Sequence, residues 1–264
     1  MIKNLMNFGS SQLKTNYKYL KPLLDQNSVE KSTYLYIHGY LGSLDSETSK
    51  FLLEFCEKNG CGYLAIDLYG HGGSEGELID CTVSMWRQQV LDVSKHFFGQ
   101  NDSQNNGTSK KIVVGKSIGG YFVALNMLNE DFNKIWNGSL LICPAIDYPH
   151  RIFYERLLAE NQKQELNETG VVELNYYGMT WKVRKSYIED SRDNNDLFSV
   201  KKIPIPYNCT ILQGRKDTTV NYNIALDLSS KLISPVTNLI LTDDGGHDLK
   251  DEKSCKLLTK AFND

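Results

Sequence analysis

The chain has 264 residues, 41% of them apolar and 23% charged, with a net charge of −3. That length is ample for a large buried core. The near-neutral balance argues against a nucleic-acid partner or electrostatic attachment to an anionic membrane, and no apolar run approaches the ~20 residues of a membrane-spanning helix. A small-molecule substrate is expected, acted on by a monomer or a homodimer.

The first 24 residues carry four lysines and no acid, a weak trait of organelle-targeting peptides that keeps a mitochondrial location open. They lack arginine, however, and Asn-Tyr-Lys-Tyr-Leu at 16–20 reads as an edge strand. From there the chain alternates between two kinds of segment. Short strand-like runs lie at 33–37, 63–67, 112–115, 139–143, 209–213 and 238–241. Helix-like patterns lie at 47–58, 82–98, 118–128, 222–232 and 252–262. Several strands are apolar without alternation, as in parallel strands covered on both faces. The series predicts an α/β fold with a mostly parallel central sheet flanked by helices. The polar stretch 99–110 reads as a loop. Between 145 and 206 the rhythm breaks into charged helical pieces with many aromatics. This stretch is too long for a connection, so a helical lid (145–206) is expected, inserted into a core of residues 1–144 and 207–264.

The sharpest chemical signal is Gly115-Lys116-Ser117-Ile118-Gly119, which follows an apolar strand and opens a helix. That is the G-x-S-x-G turn in its required strand–turn–helix context. The glycines are needed because side chains two residues either side of the serine would collide in so sharp a turn. Ser117 is therefore the expected nucleophile. A serine hydroxyl needs a base, and the base an orienter, in the chain order Ser, Asp or Glu, His. Two histidines follow Ser117: His150, in the expected lid, and His247, in the loop after the last strand. His247 is the expected base. Asp217, in the loop after the 209–213 strand, is the expected orienting acid, with Asp147 as its rival. The oxyanion hole is expected from the backbone amides of Ile118 and Tyr40, with Leu41 second for the latter place. Tyr40 and Leu41 lie in the turn His38-Gly39-Tyr40-Leu41-Gly42. His38 reads as a buried brace for that turn. Leu41 and Lys116 are placed to touch substrate, although a solvated Lys116 is the plainer reading. The glycine-rich turn at 67–74 has neither phosphate-loop spacing and reads as structural.

Six cysteines occur, none in a CxxC or Cys/His zinc pattern, and no HExxH or EF-hand loop is present. No metal site is thus expected. Cysteines in apolar runs read as reduced structural thiols, which points to the cytoplasm.

These motifs together resemble the α/β-hydrolase superfamily. Within it, the chain is similar to the mitochondrial palmitoyl-protein thioesterases that also act as mycophenolic acid acyl-glucuronide esterases. The likeness rests on GYLGSLDSETSKFLLEFCEKNG (39–60), DLYGHGGSEG (67–76), Trp86-Arg87, GKSIGG (115–120) and IPIPYNCTILQGRKDTTV (203–220). It implies carboxylesterase or acyl-thioesterase activity without a cofactor, on Ser117, Asp217 and His247. Lys116 departs from that family, which has a small polar residue there. A serine aminopeptidase on the same triad, or a non-catalytic small-molecule receptor, are the alternative readings.

Overall fold

The computed structural model describes every residue except 10, 27–29, 100–108, 177–178 and 264. Of the loop expected at 99–110, residues 100–108 lie outside the described residues. The chain begins with β1 (Ile2–Asn7), β2 (Lys14–Leu20) and β3 (Thr33–Ile37). It continues through α1 (Glu47–Asn59), β4 (Gly62–Ile66), α2 (Val83–Phe98), β5 (Lys111–Lys116), α3 (Ile118–Asn126), α4 (Glu130–Asn133) and β6 (Gly138–Ile142). After β6 come a π-helical turn (His150–Leu157), α5 (Glu160–Thr169), β7 (Val171–Tyr176), β8 (Met179–Arg184) and α6 (Lys185–Asn194). The chain closes with β9 (Ile203–Pro204), β10 (Asn208–Gly214), α7 (Tyr222–Lys231), β11 (Leu232–Ile233), β12 (Thr237–Thr242) and α8 (Glu252–Asn263).

Eight strands form one sheet in the order β1-β2-β4-β3-β5-β6-β10-β12. β1 and β2 run antiparallel, as do β2 and β4; the remaining neighbours are parallel. The edge strand expected at 16–20 is the C-terminal part of β2, which lies one strand inside the edge because β1 covers it. β3 and β4 are buried at every position, which explains their lack of alternation. Successive residues face opposite sides. Leu35, Ile37, Leu64 and Ile66 join one apolar cluster with Trp86 and Phe122 of α2 and α3. Tyr34, Tyr36, Tyr63 and Ala65 join the other with Leu52 of α1 and Phe262 of α8. Local chemistry sets the helix ends: the Thr82 hydroxyl accepts the Met85 amide at the start of α2, and Gly60 takes the left-handed conformation after α1.

The stretch between β6 and β10 is not all helical. Beside the π-helical turn, α5 and α6, it holds the antiparallel hairpin β7–β8. Val172, Leu174 and Val183 are buried while Glu173, Asn175 and Lys182 are exposed. That period of two is a strand pattern, which the density of charges had made to look like a solvated helix face.

Candidate active site

β5 delivers the chain into Ser117, and α3 begins at the next residue. Ser117 has φ 55° and ψ −120°, a conformation that costs a non-glycine residue of order 1–3 kcal/mol. Its surroundings hold it there. The Ser117 amide donates to the Ile142 carbonyl at 2.8 Å, and its own carbonyl accepts from Ala145 at 3.1 Å and Tyr121 at 3.2 Å. A Cβ on Gly115 would stand 2.6 Å from the Gly119 oxygen, and one on Gly119 would stand 2.3 Å from the Ile37 oxygen. Gly115 is therefore a steric necessity of the turn itself, and Gly119 of the turn's close packing against β3. Ser117 occupies the N-cap of α3, and a helix N-terminus favours negative charge beside it.

Asp217 and His247 meet at the ends of β10 and β12, adjacent parallel strands. His247 Nδ1 lies 2.8 Å from Asp217 Oδ2. The same oxygen accepts from Gln213 Nε2 at 3.0 Å, and Oδ1 accepts the Thr219 and Val220 amides at 2.8 Å each. Burial pushes this carboxyl up, but His247 and the two amides outweigh burial and hold it below the usual carboxylate range. The carboxylate is thus charged, fixed and aimed at the imidazole. The two loops are locked together by backbone: the Arg215 amide donates to Thr242 O at 2.8 Å and the Lys216 amide to Gly245 O at 3.0 Å.

The turn after β3 closes with the Gly42 amide on the Gly39 carbonyl at 3.0 Å, and Leu41 sits at φ 55°. A Cβ on Gly39 would lie 3.1 Å from Ser117 Cβ, so this turn runs directly past the serine. Among the described residues, neither the Tyr40 nor the Ile118 amide donates to a backbone carbonyl. His38 braces the turn from below. Its Nε2 accepts the Leu68 amide at 3.0 Å, which fixes the proton on Nδ1, and Nδ1 donates to Gly39 O at 2.7 Å. Burial, reinforced by the neighbouring His71, lowers the His38 pKa to about 3. Unfolded His38 binds a proton below about pH 6.5 whereas folded His38 stays neutral, so its stabilising effect is present above that pH and lost as the pH falls from 6.5 towards 3. Urea midpoints are accordingly expected to drop between pH 6.5 and 4.5. In His38→Gln the slope should be shallower by up to about 1.4 kcal/mol per pH unit. An unchanged slope would mean that His38 titrates alike in both states.

Ser117 and His247 open on one cleft of about 720 Å³. Its apolar walls include Tyr40, Ile118, Tyr148, Phe153, Trp181 and Val220. The Tyr40 ring packs against Trp181 and Tyr148, with centroids at 5.3 and 5.4 Å. Charged residues edge the cleft, paired as Lys116–Asp248 (3.3 Å), Lys250–Glu47 (2.9 Å) and Lys216–Asp244 (2.6 Å). Cys143 Sγ, Asp217 and His247 present possible metal-ligating atoms within 4.8 Å of one another. Asp217 and His247 are already committed to each other, and burial beside Asp217 pushes the Cys143 thiol far up, keeping it protonated.

A family model described as "Serine aminopeptidase, S33" matches residues 30–200. The chain belongs to this S33 hydrolase family. The mouse (Mus musculus) protein named "Palmitoyl-protein thioesterase ABHD10, mitochondrial" is 28% identical to it over 235 residues, covering 87% of this chain and 73% of that protein. A putative hydrolase from Agrobacterium vitis superposes with a TM-score of 0.84 at 25% identity, over 99% of this chain and 97% of that one. The solved mouse "Alpha/beta hydrolase domain-containing protein 10" gives 0.79 at 24%, over 100% and 97%, and shows the shared fold. The S33 chain thus has the α/β-hydrolase fold and resembles ABHD10.

Every residue that sequence reasoning grouped at the site of this S33 hydrolase lies on or behind the one cleft. Ser117, Ile118, Tyr40, Leu41, Lys116 and His247 line it, and Asp217 stands behind His247. The rivals lie elsewhere. Asp147 accepts from Arg156 at 2.8 Å, and His150 lies 3.7 Å from Glu155 and stacks on Tyr154. Lys116 is not the free, solvated lysine of the plainer reading, since Asp248 holds it. Gln213 was missed. A glutamine ending an apolar strand four residues before the acid was the available signal, because a buried amide needs a polar partner.

Proposed function

We propose that this chain is a serine hydrolase that cleaves carboxylic esters or acyl thioesters through an acyl-serine on Ser117. The observation carrying this reading is the strained Ser117 on the same cleft as His247, whose Nδ1 is held by a charged Asp217. With Nδ1–H committed to Asp217, Nε2 carries the lone pair. It takes the Ser117 proton as Oγ attacks the carbonyl, and Asp217 steadies the imidazolium that forms. The Tyr40 and Ile118 amides receive the oxyanion. Collapse expels the alcohol or thiol, protonated by His247, and water repeats the sequence on the acyl-enzyme.

Residues 145–206 act as a lid: Tyr148, Ile152, Phe153 and Trp181 come from this stretch and form much of the apolar wall. Such a wall suits an acyl or aryl group, consistent with the thioesterase named among the relatives. That name also supports the mitochondrial over the cytoplasmic location.

A fluorophosphonate probe tests the central claim. It should label the wild type and not Ser117→Ala; an unlabelled wild type, or equal labelling of both, would sink it.

The family description favours a second reading, amide cleavage at an amino terminus. That reaction needs a carboxylate to hold the substrate amine. Asp248, Glu47 and Asp244 at the cleft are each paired with a lysine, and Asp251 accepts from Ser254. Rates on p-nitrophenyl esters of rising chain length, an S-acyl peptide and an aminoacyl anilide separate the two. Esters and thioesters are expected to exceed the anilide by at least tenfold, and preference for the anilide would reverse the assignment.

A further inference from the structure

We infer that the Lys116–Asp248 ion pair is a latch that sets the spacing of nucleophile and base, making both positioning residues. The inference rests on the reading of Ser117 and His247 as that pair. Lys116 directly precedes Ser117, and Asp248 directly follows His247. Lys116 Nζ reaches Asp248 Oδ1 at 3.3 Å, bridging 132 positions of sequence across the cleft.

The His247 loop is anchored unevenly. Towards Asp217 it is stapled by two backbone hydrogen bonds and by Lys216–Asp244 and Arg215–Asp243. The absence of a side chain at Gly214 lets the loops touch, since a Cβ there would stand 2.2 Å from the Gly245 oxygen. These contacts fix His247 against its acid. They do not fix it against the nucleophile, which rides on β5 and α3. Among the described residues, Lys116–Asp248 is the polar contact that spans that second gap.

The lysine of this pair also differs from those of the other rim pairs in burial. The Lys116 side chain is 14% exposed, whereas both members of Lys250–Glu47 are at least 60% exposed. The better-buried lysine is screened less than a solvated one, while Asp248, 57% exposed, keeps the worth of the contact modest. Asp248 Oδ2 lies 3.5 Å from Lys250, which is itself 2.9 Å from Glu47 at the start of α1, so the latch has an outer, weaker continuation. Burial pushes the Asp248 carboxyl up, but Lys116 and then Lys250 outweigh it and keep it charged. The role is geometric. Loosening the latch widens the distribution of Ser117–His247 distances, and proton transfer falls off steeply with that distance.

The test compares wild type, Lys116→Met, Asp248→Asn, the double variant and the swapped pair Lys116→Asp/Asp248→Lys on one p-nitrophenyl ester. Each single change should lower kcat about threefold while KM moves less than twofold. The double variant should be no worse than either single, and the swap should regain at least half the loss. Lys256→Met, which removes the exposed α8 pair with Glu252, controls for general charge loss and should leave kcat unchanged. Unaltered kcat in both singles, additive losses, or a change confined to KM would overturn the latch. Where the swap fails to regain activity, non-additivity in the double variant decides. Fluorophosphonate labelling of the wild type is read in parallel. Normal labelling with unchanged kcat in the singles removes the latch alone, whereas no labelling removes the nucleophile reading beneath it.

Discussion

Ser117→Ala is expected to lower kcat on a p-nitrophenyl ester by about 10⁶-fold, with KM within a few-fold of wild type. Removing Oγ abolishes the covalent route, and His247 is left with no hydroxyl to deprotonate. The loss should stop short of the uncatalysed rate, because the Tyr40 and Ile118 amides and the cleft remain to bind and polarise the carbonyl; a residue of about 10³-fold over water is anticipated. The substitution leaves the backbone bonds of Ser117 to Ile142, Ala145 and Tyr121 untouched. A melting temperature close to wild type is therefore part of the prediction. Steady-state kinetics with a thermal melt checks both, and activity within tenfold of wild type would place the nucleophile elsewhere.

Asp217→Asn should cost about 10⁴-fold in kcat. The asparagine oxygen can still accept the Thr219 and Val220 amides, as Oδ1 does now, so the loop should keep its shape. The new amide nitrogen, however, replaces the oxygen that accepts from His247 Nδ1 and Gln213 Nε2. A donor facing Nδ1 drives the imidazole proton to Nε2. Nε2 then lacks the lone pair that must receive the Ser117 proton, so the variant is folded but in the wrong tautomer. Because Asp217 is held below the usual carboxylate range, the wild type should retain this interaction down to about pH 4 and lose it as the pH falls further. Kinetics with circular dichroism distinguishes the tautomer effect from misfolding, and a folded variant with more than a tenth of wild-type kcat would show that Asp217 does not orient the base.

Much of this was legible in the chain because it is local. The run Thr33–Ile37 is β3 to the residue, and the starts of α1, α3, α7 and α8 fall where the apolar period and capping residues place them. Gly115 was readable because its Cβ would strike Gly119 within the one turn, whereas Gly119 answers to β3, whose Ile37 and His38 oxygens its Cβ would strike. The hairpin β7–β8 was not readable. Its alternating charges fit a strand or a solvated helix equally well, and its choice depends on what Val172, Leu174 and Val183 pack against. β1 was missed for the same reason: Ile2–Asn7 has little burial of its own and takes its place by pairing with β2.

The sequence by itself determined the fold class and named Ser117, Asp217 and His247, because each follows a strand of a parallel sheet whose carboxyl ends share one edge. Tertiary structure decided what those residues face. It set Asp217 rather than Asp147 against His247, with Asp147 closed onto Arg156, put Gln213 against the Asp217 carboxylate, and paired Lys116 with Asp248. Two of these contacts join distant residues, Lys116 with Asp248 across 132 positions and Asp217 with His247 across 30; Arg156–Asp147 and Gln213–Asp217 are 9 and 4 positions apart, yet no local pattern of period or spacing says which of these side chains close on one another.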